Sequence, residues 1–302
     1  MNLHGGEIVA LSKYRVLHLA ILLWSVALVT LFLCSLPIRS QTQTADEVEK
    51  RLASLPPDQR AYERFRFWST MLPPDQQRDP NLLTRYREYL KALGFGDGDA
   101  EAQLKLVREQ GSRAEIERWN RILTAENPIF NVKPNEFLVE MAKGRKPGNA
   151  LDVGMGQGRN TIWLAQQGWD VTGFDPAEKA VALAQETARK LGVHFKSEIK
   201  GMEDFDFGDR RWDMIVLSYV GGGEMTDVFQ RALKPGGVLI IEAFHRDATK
   251  GRSIGGAVVF DTGQLPALYP QLRVVRYEEP MGIGDFGQQR VRLVRYCGER
   301  PD

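Results

Sequence analysis

One glycine-rich segment, at residues 151–158, constrains the fold of this chain more than any other feature. It reads Leu-Asp-Val-Gly-Met-Gly-Gln-Gly and includes the end of a short apolar run at 150–153. A helical stretch follows at 160–167 and ends at Gly168. Glycines between a strand and a helix let the backbone turn tightly and approach a bound molecule closely. The order therefore predicts the first strand, loop and helix of a parallel α/β sheet, with a ligand at the loop.

The same alternation continues towards the C-terminus. Further strands are predicted at 169–174, 193–199, 212–218, 238–244, 272–277 and 291–297, and further helices at 176–191 and 229–233. Pro176 stands at the start of a predicted helix and Gly192 follows its end, which are the preferred positions of these residues. Strands that alternate with helices form parallel βαβ units. The pattern predicts a Rossmann-like sheet of seven strands with helices on both faces.

The ligand of such a sheet binds at the carboxyl ends of its strands. Asp175 ends the second strand, 21 residues after Gly154, and a carboxylate there can accept hydrogen bonds from both hydroxyls of a ribose. A dinucleotide site would have the spacing G-x-G-x-x-G. This chain has G-x-G-x-G instead, preceded by Asp152, which can contact the loop or a cationic amino group of the ligand. The spacing argues against an NAD-type enzyme.

Several segments, in order, resemble the class I S-adenosylmethionine (SAM)-dependent methyltransferases. The string at 151–165 is most similar to the branch that includes the tellurite-resistance methyltransferases. Residues 212–216 resemble the fourth strand of the family, and residues 233–237 resemble the turn before its fifth strand. The resemblance extends over residues 150–244, about a third of the chain. It implies that SAM is the cofactor and that methyl transfer is the activity.

The resemblance also assigns cofactor-binding residues. Those expected at the methionine end of SAM are Asp152, Gly154, Met155, Gly156 and Gly158. Asp175 is expected to bind the ribose. Either Glu203 or Asp204 is expected near the adenine, and Gly201 falls near the place where many relatives have an acidic residue. Ser218, after the fourth strand, is expected to face the methyl donor or acceptor.

A general base is needed only when the acceptor has a proton that must leave. Tyr219 and His245 are the catalytic candidates, with Glu242 as a third, because all three lie at or near strand ends on the ligand edge. Each also has a structural interpretation. Tyr219 fits a packing position, and Glu242 and His245 fit a polar rim that anchors the next loop. Asp213 is interpreted as a structural turn residue.

Charge and composition bear on the methyl acceptor. Lys and Arg number 40 and Asp and Glu number 39, so the net charge of +1 shows no basic excess for binding nucleic acid. Ser-Tyr-Val-Gly at 218–221 replaces the Asn-Pro-Pro-Tyr type of string that amino-methylating nucleic-acid enzymes of this fold often have. We therefore expect a small-molecule or metalloid-anion acceptor. A non-catalytic SAM-binding or scaffold protein is the alternative. With four His and two Cys, scattered along the chain, no metal site is predicted.

An almost unbroken apolar run occupies residues 16–36. Its length is close to the ~20 residues that cross a bilayer as a helix. Lys13 and Arg15 precede it, and a positive flank favours a cytoplasmic N-terminus. The run predicts a single transmembrane anchor within a segment at 1–40. The alternative is a signal peptide that is cleaved near Ser40, followed by export. Because SAM is made in the cytosol, the side of the membrane is left open.

Residues 41–127 are predicted to be a small helical region that precedes a methyltransferase domain at 128–302. Three groups of apolar residues recur at helical spacing and are interpreted as packing faces: Tyr62, Phe65 and Trp68; Leu82, Tyr86, Tyr89 and Leu93; and Ile116, Trp119 and Leu123. The region is interpreted as packing on the catalytic domain or covering it as a lid. A stalk from the membrane is the other interpretation.

Overall fold

A computed structural model of the protein describes residues 50–73, 76–79, 81–251, 254–287 and 289–302. Residues Pro56–Asp302 form one compact unit that contains every element named below, while residues 50–55 belong to a separate unit. The predicted transmembrane segment at 16–36 lies outside the described residues. Within the described part of the chain, no helix is both long enough and apolar enough to cross a membrane.

The compact unit begins with helices and continues with alternating strands and helices. The helices are α1 (Pro57–Thr70), α2 (Leu82–Ala92), α3 (Asp97–Leu123), α4 (Glu136–Ala142), α5 (Arg159–Gln166), α6 (Glu178–Leu191), α7 (Thr226–Ala232) and α8 (Gln264–Leu268). The strands are β1 (Asn149–Val153), β2 (Asp170–Phe174), β3 (Lys196–Glu198), β4 (Trp212–Ser218), β5 (Leu233–His245), β6 (Val259–Phe260), β7 (Arg273–Glu278), β8 (Met281–Ile283) and β9 (Arg290–Glu299).

Seven of these strands form one continuous sheet in the order β3-β2-β1-β4-β5-β9-β7. Neighbours from β3 to β5 are parallel, and β9 is antiparallel to both β5 and β7. The short strands β6 and β8 pair with β5 and β9. The predicted strands are confirmed with two changes. Strand β3 is shorter than 193–199, and β5 already begins at Leu233, where a register shift next to Trp212 accommodates the turn-like residues.

The register brings the carboxyl ends of the central strands to one edge. Val153 of β1 pairs with Phe174 of β2 and with Leu217 of β4, and Ser218 pairs with Glu242 of β5. Because β1 lies between β2 and β4, the strand order reverses beside it. A crevice at such a switch point is where open α/β sheets bind their ligands.

Both faces of the sheet are covered by helices because the central strands are apolar on both sides. Leu151 and Ile215 lie in a buried cluster with Phe229 of α7. On the other face, Ala150 lies in a cluster with Leu164 of α5 and residues of α4. Near-continuous apolar strands are typical of a parallel sheet that is buried on both faces. The predicted α/β architecture with helices on both faces is confirmed.

The helical region has its own core. Its buried residues are Ala61, Trp68, Tyr86, Leu90, Ala100, Leu104 and Val107, with Tyr62, Phe65, Leu82 and Tyr89 packed around them. The first two predicted packing faces are therefore confirmed, except that Leu93 is 52% exposed. The third face differs, because Trp119 and Leu123, near the end of α3, pack with Phe130 and Ala177 of the α/β part. The end of α3 thus lies against the α/β part.

Helix α6 receives its N-terminal cap from α3. The residue before α6, Ala177, has no side chain that can accept a hydrogen bond. The side-chain oxygen of Asn120 accepts one from the backbone N–H of Lys179 at 3.0 Å, and its NH2 group donates to Glu178 at 3.1 Å. Asn120 is 1% exposed, so these bonds satisfy an otherwise buried amide. They fix the end of α3 beside the loop that leads into α6.

Candidate active site

The glycine loop after β1 has the backbone geometry that its sequence predicts. The φ angles of Gly154, Gly156 and Gly158 are +65°, +53° and +79°, in the left-handed region that side chains disfavour. A Cβ atom at Gly154 would lie 2.7 Å from Val220, and one at Gly158 would lie 2.7 Å from Ala184. The glycines therefore allow both the sharp turn and the close approach of neighbouring elements.

Asp175 joins this loop to the end of β2. Its carboxylate accepts hydrogen bonds from the backbone N–H of Gly156 at 2.9 Å and from that of Ala177 at 2.8 Å. Burial raises the pKa of Asp175 above its ordinary value, although both N–H groups act in the opposite direction. Each carboxylate oxygen accepts one of these bonds and has a second lone pair. The carboxylate is therefore oriented at the loop and can accept hydroxyl donors.

Asp152 and Met155 lie in the same loop region, but their side chains contact protein. The carboxylate of Asp152 accepts a hydrogen bond from the Thr161 hydroxyl at 2.6 Å, and burial raises the pKa of Asp152 to about 6. The Met155 side chain packs over β2, since a Cβ at Gly173 would lie 2.5 Å from the Met155 sulfur. The backbone of Met155 is thus the part that can line a ligand.

The remaining predicted cofactor residues lie at the same edge. Glu203 and Asp204 are on a 3-10 turn, Met202–Asp204, after β3, and both are exposed. Ser218 ends β4, and its hydroxyl accepts a hydrogen bond from the Asn160 side chain at 3.2 Å. The roles of these three residues stay predictions, and Glu203 and Asp204 remain alternatives for the adenine contact.

Tyr219 has a strained backbone and a buried side chain. Its φ angle is +59°, which is unusual for a residue with a side chain, and it is 7% exposed. Its hydroxyl donates to the Glu242 carboxylate at 2.8 Å, and its backbone N–H donates to the Glu242 carbonyl at 2.9 Å. Burial, together with the charges of Glu242 and Asp285, raises the pKa of Tyr219. Tyr219 is therefore placed as a hydrogen-bond donor.

Glu242 and Asp285 are buried carboxylates joined by one amide. The NH2 group of Asn135 donates to Glu242 at 2.7 Å and to Asp285 at 2.8 Å. Arg295 pairs with Glu242, and Arg159 pairs with Asp285, each at 2.5 Å. Two buried carboxylates next to each other are costly unless they are paired and hydrogen-bonded. This network ties the start of α4 and α5 to the end of β5 and to the turn before β9.

His245 lies among different partners. Its Nδ1 accepts a hydrogen bond from the backbone N–H of Asp247 at 3.0 Å, and its Nε2 is 3.0 Å from the Thr262 hydroxyl. The Nδ1 atom is also 3.2 Å from the Asp247 carboxylate, and the Thr262 hydroxyl donates to Glu279 at 3.2 Å. His245 is three residues after Glu242 in β5, and alternation along a strand directs the two side chains to opposite faces. The structure therefore does not bring His245 together with Tyr219 and Glu242.

Aromatic and apolar side chains cover the loop. Leu123, at the end of α3, lies over Gly156, where an added Cβ would be 3.3 Å from it. Phe286, in the turn between β8 and β9, contacts the rings of Trp119, Phe130 and Tyr219 at centroid distances of 5.6, 5.4 and 5.8 Å. The cover therefore combines α3, the segment after it and a turn near the C-terminus.

Sequence reasoning did not identify Asn135, Arg159, Asp285 or Phe286 as site residues. Local signals for two of them exist. Asn135 is in an N-cap position before α4, and its side chain accepts the N–H of Leu138 at 3.0 Å. Asp285 stands in the glycine-rich string 282–287, which is typical of a turn. Neither signal shows that the two side chains meet.

Comparisons with known proteins agree with this geometry. Residues 150–237 match a family model described as a methyltransferase domain. The probable S-adenosyl-L-methionine-dependent methyltransferase TehB of Haemophilus influenzae is 26% identical over 151 residues, which cover 48% of this chain and 53% of that protein. The resemblance found in the sequence, to class I methyltransferases with tellurite-resistance relatives, is confirmed.

Two further relatives act on different acceptors by name. The ribosomal RNA small subunit methyltransferase C of Alcanivorax borkumensis is 34% identical over 159 residues, covering 45% of this chain and 48% of that protein. The 2-heptyl-1-hydroxyquinolin-4(1H)-one methyltransferase of Mycobacteroides abscessus is 27% identical over 121 residues, covering 37% and 53%. The chain spans about half the length of these curated relatives.

Proposed function

We propose that this chain, which carries a class I SAM-dependent methyltransferase domain with SAM as its cofactor, methylates a small-molecule acceptor. The observation that carries the proposal is the loop Gly154–Gly158 at the carboxyl end of β1, with the Asp175 carboxylate fixed against it at 2.9 Å. The left-handed glycines turn the loop sharply at the end of β1, and the adjacent carboxylate suits a pair of ribose hydroxyls. The residues present therefore fit SAM.

When bound, SAM would supply a methyl group on a cationic sulfonium, and the neutral thioether released by methyl transfer needs no acid to protonate it. The task of the protein is to align the reacting atoms and exclude water. Backbone groups of the glycine loop hold the methionine end, and Asp175 holds the ribose. Leu123 lies over Gly156, and Val220 lies against Gly154. These two side chains exclude water from the loop.

The candidate bases each have a protein partner. The Tyr219 hydroxyl donates to Glu242, and Glu242 also accepts from Asn135 and Arg295. The accepting nitrogen of His245 is used by Asp247. An acceptor whose nucleophile is already ionised, or has a nitrogen lone pair, needs none of them. We therefore propose acceptors that lose their own proton in solution. The pH dependence of the methylation rate then follows the ionisation of the acceptor.

Charge supports a small acceptor over RNA. The chain has a net charge of +1, and Arg159 and Arg295 beside the site are paired with buried carboxylates. Proteins that bind nucleic acid use clustered basic side chains to neutralise phosphates. Because one relative is named for ribosomal RNA, transfer of labelled methyl groups to ribosomal RNA is a necessary comparison. Labelling of RNA without labelling of small molecules would overturn the proposed acceptor class.

The cofactor assignment is tested by calorimetry on the full-length chain. We expect SAM to bind, and Asp175→Ala to weaken binding roughly 10- to 100-fold, because hydrogen bonds to a carboxylate are lost. Asp209→Ala is the matched control, since Asp209 is exposed and pairs with Arg231. Folded protein that binds no SAM would overturn the function. SAM binding without methyl transfer to RNA or to a broad panel of small molecules would favour the non-catalytic alternative.

We also propose that residues 16–36 anchor the protein in a membrane. The apolar run and the preceding Lys13 and Arg15 support this. A reporter fused after Asp302 would show on which side the C-terminal domain lies. Extraction of the intact protein from membranes by carbonate would contradict an anchor. Isolated protein that lacks its first ~40 residues would instead favour cleavage.

A further inference from the structure

Asp175 and Ser218 stand on opposite sides of the start of the glycine loop. Val153, the last residue of β1, pairs with Phe174 of β2, and Asp175 follows Phe174. Val153 also pairs with Leu217 of β4, and Ser218 follows Leu217. A cofactor whose ribose binds Asp175 and whose remainder crosses the loop therefore has its methionine end beside Ser218.

The side chain of Ser218 lies on the face of the sheet that α5 covers. Side chains alternate between the two faces along a strand. Leu217 packs in the cluster on the α7 face, whereas Val216 packs with Leu164 of α5 on the other face. Ser218 shares the face of Val216, and there the NH2 group of Asn160, in the first turn of α5, donates to its hydroxyl at 3.2 Å.

A backbone N–H fixes the orientation of the Asn160 amide. The side-chain oxygen of Asn160 accepts a hydrogen bond from the N–H of Asn135, the residue before α4, at 2.9 Å. Because a backbone N–H can only donate, the oxygen must face it, and the NH2 group is the end that faces Ser218. Asn160 is 4% exposed, so the two bonds satisfy a buried amide.

The direction of this bond determines what Ser218 can offer to a ligand. A hydroxyl group has one proton to donate and two lone pairs that accept. One lone pair of Ser218 accepts from Asn160, so the O–H must point away from that NH2 group. No acceptor for this proton is found among the residues that the structure describes. Ser218 is half-buried at the loop edge and has a hydrogen-bond donor available there.

We propose that Asn160 is a positioning residue, which holds the Ser218 hydroxyl as a hydrogen-bond donor to the carboxylate at the methionine end of the cofactor. The inference rests on the cofactor of the proposed function and adds a residue outside the glycine loop. The amine of the methionine end is itself a donor, whereas its carboxylate only accepts. Hydrogen bonds to an ionised acceptor are stronger than those between neutral groups, so the carboxylate is the preferred partner of the hydroxyl.

The experiment compares two ligands by calorimetry on the full-length chain. S-adenosylhomocysteine, the product left after methyl transfer, has the carboxylate. 5′-Methylthioadenosine has the same nucleoside and thioether sulfur without the amino-acid part. Ser218→Ala should weaken binding of S-adenosylhomocysteine about tenfold, because a bond to a charged group is lost. Binding of 5′-methylthioadenosine should stay unchanged.

Asn160→Asp should have the same selective effect at about pH 8, where a carboxylate is ionised. An oxygen in place of the NH2 group accepts the Ser218 proton and turns it away from the ligand. Asn160→Ser, which removes the NH2 donor without adding a charge, should weaken binding of S-adenosylhomocysteine in the same direction. Asn81→Asp is the matched control, since Asn81 is exposed and its side chain does not cap α2.

A double variant tests whether the two residues act together. In the Ser218→Ala background, Asn160→Asp should weaken S-adenosylhomocysteine binding much less than in the unmodified protein, because no hydroxyl is left to turn. Losses that add in full would overturn the inference, since Asn160 would then act without Ser218.

The two ligands also separate this inference from the proposed function. Failure of the folded, unmodified protein to bind S-adenosylhomocysteine would reject the cofactor itself. If S-adenosylhomocysteine binds and Ser218→Ala binds it as tightly as the unmodified protein, the inference is overturned. It is also overturned if the Asn160 variants weaken both ligands equally, because the amide would then only support the structure of the loop edge.

Discussion

Glycines with similar backbone angles have different surroundings in this protein. Gly158 and Gly144 have φ angles of +79° and +78°. A Cβ at Gly158 would lie 2.7 Å from the Ala184 Cβ, whereas a Cβ at Gly144 would have no atom within 4 Å. The two positions therefore separate the cost of backbone strain from the cost of a steric clash between the glycine loop and α6.

Gly158→Ala is expected to lower the free energy of unfolding by roughly 2–4 kcal/mol, from backbone strain plus overpacking. Gly144→Ala should cost about 1 kcal/mol, from backbone strain alone. Urea denaturation measures both, and calorimetry with SAM should show weaker binding only for Gly158→Ala. Equal destabilisation by the two variants would mean that the loop does not depend on close contact with α6.

The buried carboxyl group of Asp152 is expected to make the free energy of unfolding depend on pH. Burial raises its pKa from 3.8 in the unfolded chain to about 6. The native state therefore binds more protons between these values, and stability from this group falls as pH rises through that window. Asp152→Asn removes this loss while still accepting the Thr161 hydroxyl. Relative to the unmodified protein, the variant should gain about 2 kcal/mol of unfolding free energy between pH 4.5 and 7.5. A pH-independent difference in urea denaturation would contradict a raised pKa of the buried Asp152 carboxyl group.

At the scale of elements, the two ends of α3 pack in different parts of the molecule. Its first part packs with α1 and α2, and its last residues pack over the glycine loop and cap α6. A helix of 27 residues is long enough to reach both places. The apolar spacing of Trp119 and Leu123 predicts a packing face, but it does not reveal that the partner is the loop edge of the sheet.

Asn120→Ala is expected to release the end of α3. The variant leaves the N–H of Lys179 without its cap, which should lower the free energy of unfolding by about 1–2 kcal/mol. Hydrogen exchange should become faster at the end of α3 and the start of α6, and SAM should bind more weakly because the cover over Gly156 loosens. Lys105→Ala, at an exposed position of α3, is the control. Unchanged exchange at the start of α6 would disprove the capping role.

The order of the strands in the sheet does not follow their order along the chain. Strand β9 is the last along the chain, yet it lies between β5 and β7. The turn before it brings Asp285 and Phe286 to the loop edge, next to residues more than a hundred positions earlier. Strand periodicity located this strand, but pairing partners in a sheet are set by the packing of the whole layer.

At the scale of the whole molecule, ligand binding is expected to stabilise the helical cover and the sheet together. S-adenosylhomocysteine at about 100 times its Kd should add about 2.7 kcal/mol to the free energy of unfolding. Since Leu123 contacts the glycine loop, hydrogen exchange should slow both in the loop and at the end of α3. Exchange that slows in the loop alone would show that α3 is not part of the ligand-binding structure.

The sequence by itself determined the seven sheet strands, the glycine loop and Asp175. These depend on local signals, namely apolar runs, glycine spacing and the end of a strand, which act within a few residues of the chain. Only the tertiary structure decided which hydrogen-bond partners the catalytic candidates have. It joined Tyr219 to Glu242 and placed His245 with Asp247 and Thr262. The partners of a buried polar group are chosen by which elements pack together, and that choice depends on contacts between residues far apart in sequence.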